Sequence, residues 1–211
     1  HSFYLPAEAS LTMKMSVRAD TPVGIKFAGH SRGFIKITSN APVFLVGRLN
    51  NPQGDTEVHS TGDITRASGV DIQSNNLTLD ADGRVGRSTN PVDAFLTPGG
   101  VLNASSGSQG IYINLTSGAF IGQILAGASG NYGDVVLLTT GDLLRKQASG
   151  NSTLNISGRD LTVRTTNGAV GSLLNPLIIA AHTTPLANGG FLHGVVTVTA
   201  TKNIGLRQIG G

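Results

Sequence analysis

Cysteine and tryptophan are both absent from this 211-residue sequence. Without cysteine the fold can use neither disulfide bonds nor thiolate metal sites, so packing must stabilise it. Aromatic residues make up only 5% of the chain. The core must therefore consist of Val, Ile, Leu and Ala, and the abundant Thr, Ser and Asn beside them favour strands and turns over helices.

Charged residues are also scarce, at 13% of the chain. Because short apolar segments such as residues 135–138 recur along its whole length, low charge does not indicate disorder here. No apolar segment approaches the roughly 20 residues that a helix needs to cross a bilayer. The 15 basic residues form no dense patch, so we expect scattered surface charge and no nucleic-acid partner.

Short segments of the sequence return about 84 residues further on, a periodicity to be sought before any local motif. The segment VDI at 70–72 is matched by LNI at 154–156, and LTL at 77–79 is matched by LTV at 161–163. Four further matches keep the same order, with segments beginning at Ala67, Val85, Gly110 and Ile121 returning at Ala148, Val170, Gly194 and Ile204. Such repeats are typical of solenoids, in which each unit packs on the previous one.

Within these units, apolar and polar residues alternate over short stretches that end in Gly, Asn or Asp, as in strands joined by turns. An antiparallel sandwich would also contain such strands, but the repeat favours stacked coils. Four coils per repeat give about 20–22 residues per coil. We therefore predict an all-β fold, a right-handed parallel β-helix (β-solenoid), with like side chains stacked about 4.8 Å apart.

We expect residues 1–211 to be one β-helix segment of a larger protein, partly because the chain begins with His1 rather than Met. Positions 1–56 would form the first coils, and positions 57–211 would contain the internal repeat, with its period of about 84 residues. The stretches 86–110 and 171–194 each contain two prolines. We expect both to bulge from the shaft as longer loops, where recognition would occur.

Several motifs together resemble the shafts of filamentous haemagglutinin-like exoproteins of bacterial two-partner secretion. They are PVGIKFAGHSRGFIKITSNAPVFLVGRLNNPQGD at 22–55, GDIT at 62–65, LTLDADGRVGRSTNPV at 77–92 and LTVRTTNGAVGSLLNPL at 161–177. The resemblance covers roughly residues 11 to 211. The secretion domain of that family carries an Asn-Pro-Asn motif. NNPQGD at 50–55 matches that motif only loosely. The resemblance therefore indicates that this chain belongs to the shaft and not to the secretion domain.

The resemblance implies a secreted, extracellular protein of the bacterial cell surface, exported through an outer-membrane partner. Its implied roles are cell adhesion, aggregation or biofilm formation, and virulence, with a glycan or protein receptor on a host or bacterial cell. We therefore expect a structural and adhesive shaft segment that is not an enzyme and has no cofactor. One alternative is a passive stalk of a contact-dependent toxin.

In either case, the end coils of a truncated β-helix would leave backbone groups unpaired. We therefore predict end-to-end self-association of this chain.

The other alternative is a glycan-active β-helix enzyme, a polysaccharide lyase or hydrolase, which needs several converging carboxylates. Asp80 and Asp82 are the best pair, but a Gly-closed turn explains their DADG motif better than a calcium loop does. Asp63 and Asp142 occupy matching Gly-Asp corners, which indicates a turn role. No two-His metal spacing occurs, His59 being remote in sequence from the other histidines. We thus predict no catalytic or metal site.

Four basic residues alternate with apolar ones near the start of the chain: Arg18, Lys26, Arg32 and Lys36. After coiling they would form a basic stripe that binds sulfated or acidic glycans. Solvated outward positions that discourage edge pairing are the alternative interpretation. Five Asn-x-Ser/Thr triplets, among them those beginning at Asn103 and Asn155, are either sugar acceptors or corner residues.

Overall fold

The structure is a computed structural model. It describes the strand backbone at 4–5, 10–15 and 23–29, and backbone and side chains at 33–128, 130–146, 153–185 and 189–210. All regular elements in these ranges are strands, which confirms the predicted all-β class. In the same ranges, no helix has the length and apolar character needed to span a membrane.

The strands form two long sheets and one small one. The first sheet contains β1 (Tyr4–Leu5), β3 (Val23–Gly29), β5 (Val43–Asn51), β7 (Ile64–Arg66), β8 (Asp71–Ser74), β10 (Val92–Leu96), β12 (Ile111–Leu115), β15 (Val135–Thr139), β18 (Leu161–Thr165) and β22 (Val196–Thr199). The second sheet contains β2 (Ser10–Met15), β4 (Phe34–Ser39), β6 (Thr56–Ser60), β9 (Leu77–Ala81), β11 (Val101–Ser106), β13 (Ala119–Ala128), β14 (Asn131–Tyr132), β16 (Leu143–Arg145), β17 (Ile156–Gly158), β19 (Leu177–Ala181) and β23 (Leu206–Gln208). The small sheet pairs β20 (Thr184–Pro185) with β21 (Phe191–Leu192).

The chain passes alternately through the two long sheets, and each strand pairs in parallel with the strand one coil later. In the described ranges, the antiparallel strand pairs are β13 with β14 and β20 with β21. The result is a β-solenoid of about 6 turns with about 23 residues per turn. This confirms the parallel β-helix and excludes the antiparallel sandwich.

Apolar residues at alternate strand positions point into the space between the sheets. Leu77 and Leu79 of β9, for example, are fully buried, whereas Thr78 between them is half-buried on the outside. Aliphatic residues stack on aliphatic residues from coil to coil, and each fully buried Leu or Ile contributes roughly 1.5–3 kcal/mol. One such column runs through Val43, Ile64, Val85, Ile111, Val135, Leu161 and Val196.

A buried asparagine joins three successive coils of the second sheet. Asn155 is 2% exposed. Its Nδ2 donates to the C=O of Gly122 at 2.9 Å, and its Oδ1 accepts the N–H of Ile178 at 3.0 Å. Because both polar atoms of this side chain are engaged inside the protein, Asn155 is a structural corner residue and not an accessible sugar acceptor.

The sequence repeat does not correspond to four whole coils. The segment at 70–72 leads into β8 of the first sheet, whereas its counterpart at 154–156 leads into β17 of the second sheet. Along the first sheet, four register steps lead from Asp71 to Arg164, a longer stretch of chain than the repeat. Later coils are longer than earlier ones, so a local motif recurs on the opposite sheet, and the four-coil interpretation is wrong.

The segments 86–91 and 171–176 form one such recurring motif, a tight turn closed by Asn-Pro. In each turn the N–H of the second residue donates to the C=O of the asparagine, at 3.1 and 3.3 Å. Gly86 and Gly171 begin the turns with φ values of +70° and +66°. A Cβ on Gly171 would lie 2.0 Å from the C=O oxygen of Gly205 in the next coil, so glycine is required for both conformation and space.

The predicted long loops are much shorter than expected. Within 86–110, β10 and β11 are regular members of the two sheets, and within 171–194 the same is true of β19. The expectation was wrong for these strands because Pro91, Pro98 and Pro176 lie in the turns beside them and leave their ladders intact. The hairpin of β20 and β21 does leave the long sheets.

Candidate functional site

The structure places the described members of the basic stripe on different sheets. Lys26 belongs to β3 of the first sheet and Lys36 to β4 of the second. Arg18 and Arg32 lie outside the described residues. Lys36 Nζ lies 3.0 Å from Glu57 Oε2, so its charge is balanced by the neighbouring coil.

Lys36 begins a row of linked polar side chains across the outer face of four strands of the second sheet. His59 Nε2 lies 3.3 Å from Glu57 Oε2, and His59 Nδ1 lies 3.2 Å from Asp80 Oδ2. Ser105 donates from its hydroxyl to Asp80 Oδ1. We call Lys36, Glu57, His59, Asp80 and Ser105 the polar row. Strand register produces it, since Lys36 lies beside Glu57 and His59 beside Asp80.

Glu57 lies between the two basic members of the polar row, Lys36 and His59. Burial raises the pKa of Glu57, but hydrogen bonds and positive charge from Lys36 and His59 outweigh burial and hold that pKa below 4.5. The side chains of Glu57 and His59 are each 30% exposed, and that of Asp80 is 52% exposed. Solvent therefore screens these pairs, and each contributes little to stability. They offer hydrogen-bond donors and acceptors to a ligand on the outside of the shaft.

A groove of about 470 Å³ begins at Asp80 and Ser105 and continues along this face. One wall is the turn between β13 and β14, including Gly127 and Asn131. A second groove, of about 340 Å³, shares Ser105 and Leu125 with the first. Its lining includes Thr78, Asn103, Ala104 and Gln123. The two grooves are therefore neighbours on the same face, and we call them together the trough. Hydroxyl, amide and carboxylate groups line it around the apolar Leu125.

The β13–β14 hairpin is fixed to the shaft by a histidine of the following coils. The ring of Tyr132 stacks on His182, with centroids 3.8 Å apart and planes at 7°. His182 Nε2 lies 2.9 Å from the Oγ of the buried Ser157. Burial lowers the pKa of His182 below 6.5. Among the described residues, no carboxylate makes a salt bridge or hydrogen bond with His182. This Ser–His contact therefore lacks an orienting acid and positions the hairpin.

The Gly-Asp corners have the turn role expected from the sequence. Asp63 Oδ1 accepts the N–H of Arg84 at 3.1 Å, and Asp142 Oδ1 accepts the N–H of Ala169 at 2.8 Å. Each carboxylate thus joins its corner to the next coil. Asp82 is exposed at the edge of the larger groove. Nowhere in the described ranges do three His, Cys, Asp or Glu residues converge as metal ligands.

Sequence analysis missed the polar row because its members are remote in the chain. The available signal was their spacing: Glu57 follows Lys36 by 21 residues, and Asp80 follows His59 by 21 residues. This spacing is the coil length of that part of the shaft. Opposite charges separated by one coil length therefore predict neighbouring side chains on a solenoid face.

No protein-family model, no curated protein and no solved structure matches this chain. The resemblance to filamentous haemagglutinin-like shafts therefore depends on the sequence motifs alone.

Proposed function

We propose that this chain is a structural and adhesive shaft segment of a secreted bacterial surface exoprotein. The observation that carries the proposal is the solenoid itself, in which parallel strands stack an aliphatic core over about 6 turns. A stack of this kind is a stiff spacer with repeated outward positions on which binding groups can be arranged. Its similarity to two-partner secretion shafts supports location at the cell surface and export through an outer-membrane partner.

The adhesive part of the proposal assigns receptor contact to the outer face of the second sheet. Two outward columns along this face contain the polar row together with Thr78 and Asn103. Gln123 lines the trough beside Asn103, to which its N–H donates. Glycans present many hydroxyl groups that both donate and accept hydrogen bonds, and the trough presents the matching groups. This face is therefore the expected contact with a surface glycan.

Binding of the chain to a glycan array tests the adhesive role. The test variant is Asn103→Ala with Ser105→Ala, and the control is Thr162→Ala with Thr197→Ala on the outer face of the first sheet. We expect the trough variant to lose at least tenfold in affinity and the control to bind as the parent does. Equal binding by all three would reject the assignment of the trough. Depolymerisation of a bound polysaccharide would instead support the β-helix enzyme.

We also propose end-to-end association through the last described coil. Strands β22 and β23 end the two long sheets, so each pairs on one edge only within the described residues. Parallel edges that have no neighbour among the described residues, with apolar side chains such as the partly buried Val198, favour pairing with a further coil, which in this 211-residue chain a second copy can supply. Sedimentation velocity should show association that increases with concentration and that Val198→Lys suppresses. A parent that remains monomeric at high concentration would contradict the proposal.

A further inference from the structure

The two arginines buried in the described part of the chain, Arg66 and Arg145, occupy equivalent corners. Arg66 ends β7 and Arg145 ends β16. The side-chain amide of Asn90 donates to the C=O of Arg66 at 2.8 Å, and that of Asn175 donates to the C=O of Arg145 at 3.3 Å. Each arginine thus contacts the Asn-Pro turn that follows it. Arg66 lies on the first sheet and Arg145 on the second.

The charge of Arg66 is fully compensated. Its Nη2 lies 2.8 Å from Asp93 Oδ2. Its Nε donates to the C=O of Pro91 at 2.5 Å, and its Nη1 donates to the C=O of Ala67 at 3.2 Å. Every nitrogen of this guanidinium therefore has a partner, and one partner is a carboxylate.

Arg145 has no such compensation among the described residues. It is 8% exposed, and its Nη1 donates to Asn175 Oδ1 over a long 3.5 Å. Among the residues that the structure describes, its Nε and Nη2 have no hydrogen-bond partner. The residue that corresponds to Asp93 is Ile178, since both follow the asparagine of their turn by three positions. The neighbouring stretch at 147–152 contains no Asp or Glu.

A buried charge without a partner is strongly destabilising, because desolvation of the charge is not offset by attraction to another group. The guanidinium remains charged in proteins, so it cannot escape this penalty by losing a proton. Nε and Nη2 lie on the same edge of the guanidinium and form the fork that binds two oxygens of a carboxylate or sulfate. The unpartnered atoms of Arg145 are thus the two that bind an oxyanion.

We propose that Arg145 and Asn175 form a binding site for one oxyanion, a carboxylate, sulfate or phosphate group. The bound group supplies to Arg145 the negative charge that Asp93 supplies to Arg66. It can belong to a free inorganic ion or to an acidic sugar of a glycan. The site requires only the local geometry of this corner, so its existence does not depend on an adhesive role for the shaft.

Sulfate titration of the parent and of Arg145→Met tests the site. Binding is measured by calorimetry and by the shift in Tm at constant ionic strength, with chloride as the exchanged ion. Sulfate stabilises proteins generally by exclusion from their surfaces, so the difference between the two proteins is the measurement. We expect one saturable site in the parent and binding at least tenfold weaker in Arg145→Met. Arg66→Met is the control and should retain the sulfate response.

Exchange of the residue type at positions 93 and 178, which decides whether the neighbouring arginine has a carboxylate partner, provides the converse test of the sulfate site. Ile178→Asp supplies a carboxylate to Arg145 and should abolish sulfate binding. If that variant does not fold, Asp93→Val leaves Arg66 without its carboxylate and should bind two sulfates. A sulfate response of equal size in the parent and in Arg145→Met, or no saturable response in the parent, would overturn the proposal.

A second titration identifies the source of the oxyanion. Glucuronate and a sulfated disaccharide are compared with sulfate and with a neutral disaccharide. Competition of the acidic sugars with sulfate supports the site and assigns it to acidic glycans. Sulfate binding without such competition supports the site and assigns it to free ions. Equal binding of the neutral and acidic sugars through Arg145 would overturn the proposed recognition of an oxyanion.

Discussion

Val163 and Val198 are the same residue type and lie opposite each other in β18 and β22. Val163 is 2% exposed because Leu137 covers it on the other side. Val198 is only partly buried, since β22 is the last strand of its sheet in the described ranges. Alternation along a strand thus determines which side chains point inward, whereas coils on both sides determine how completely they are buried.

Truncation of a leucine to alanine should give the largest difference in lost stability between an inner coil and the last described coil. Leu79 is fully buried between Val58 and Ala104, so Leu79→Ala should destabilise the protein by roughly 2–5 kcal/mol. Leu206 of the last coil pairs with Leu177 alone, so Leu206→Ala should cost no more than about 1–2 kcal/mol. Urea unfolding of both variants measures the two losses. Equal losses would contradict the role assigned to the second neighbouring coil.

The paired valines repeat this comparison with a smaller deletion. Val163→Ala removes two methyl groups from a side chain that is covered by a coil on each side. It should lower the free energy of unfolding by roughly 2–3 kcal/mol. Val198→Ala should cost roughly 1 kcal/mol or less, because water already reaches this side chain. Free energies of unfolding from urea titration provide the values. A greater loss for Val198→Ala would show that the last coil is covered in solution by another chain.

The pH dependence of stability should distinguish an inner histidine from an exposed one. Burial lowers the pKa of His182, so the unfolded chain binds this proton more readily than the folded chain does. Stability from His182 is therefore complete above pH 6.5 and decreases as the pH falls from 6.5 through the folded-state pKa. His182→Gln should flatten the Tm profile in this window.

His193 is exposed, so His193→Gln is the control that removes an imidazole without removing a buried one. The lowered pKa of Glu57 affects a different window. Its stabilisation is present above pH 4.5 and is lost as the pH falls further. A Tm profile below pH 6.5 that is the same in His182→Gln and in the parent would contradict the burial argument.

The smallest change in the free energy of unfolding is expected for a substitution at the tip of the second Asn-Pro turn, at 171–176. Leu174 is 100% exposed, and Thr89 occupies the corresponding position in the first turn. Leu174→Thr should change the free energy of unfolding by less than about 0.5 kcal/mol, since no buried contact is lost. Urea titration checks this value. A clearly larger loss would show that the leucine packs against another part of the protein in solution.

The alternating pattern predicted the strands and their inward aliphatic side chains, because inward positions such as Leu77 and Leu79 depend only on local sequence. The internal repeat, and not the alternation, predicted the parallel stacking. Coil length was less predictable. The β13–β14 hairpin adds residues to a coil without changing the ladder, so equal sequence offsets do not place residues on the same sheet. This explains why the repeat crosses from one sheet to the other, whereas Lys26 and Lys36 occupy different sheets simply because the successive strands β3 and β4 alternate between the sheets.

The candidate site could be predicted only in part for the same reason. Neighbours such as His59 and Asp80 are recognisable once the register is known, but the sequence gives the coil length only approximately. Arg145 could not be identified at all from its local sequence, because its distinctive property is a missing partner. That property depends on comparing Ile178 with Asp93 in two turns on different sheets.

Distances between spin labels along one outer column test the parallel stack most directly. The chain has no cysteine, so pairs of introduced cysteines can be labelled without background. Asn114, Arg164 and Thr199 lie in one column, with Arg164 two coils and Thr199 three coils beyond Asn114, and Asp71 lies five coils before Thr199. Mean distances should increase by roughly 4.8 Å for each intervening coil. Distances that do not increase with coil number would contradict the solenoid and the functions proposed for it.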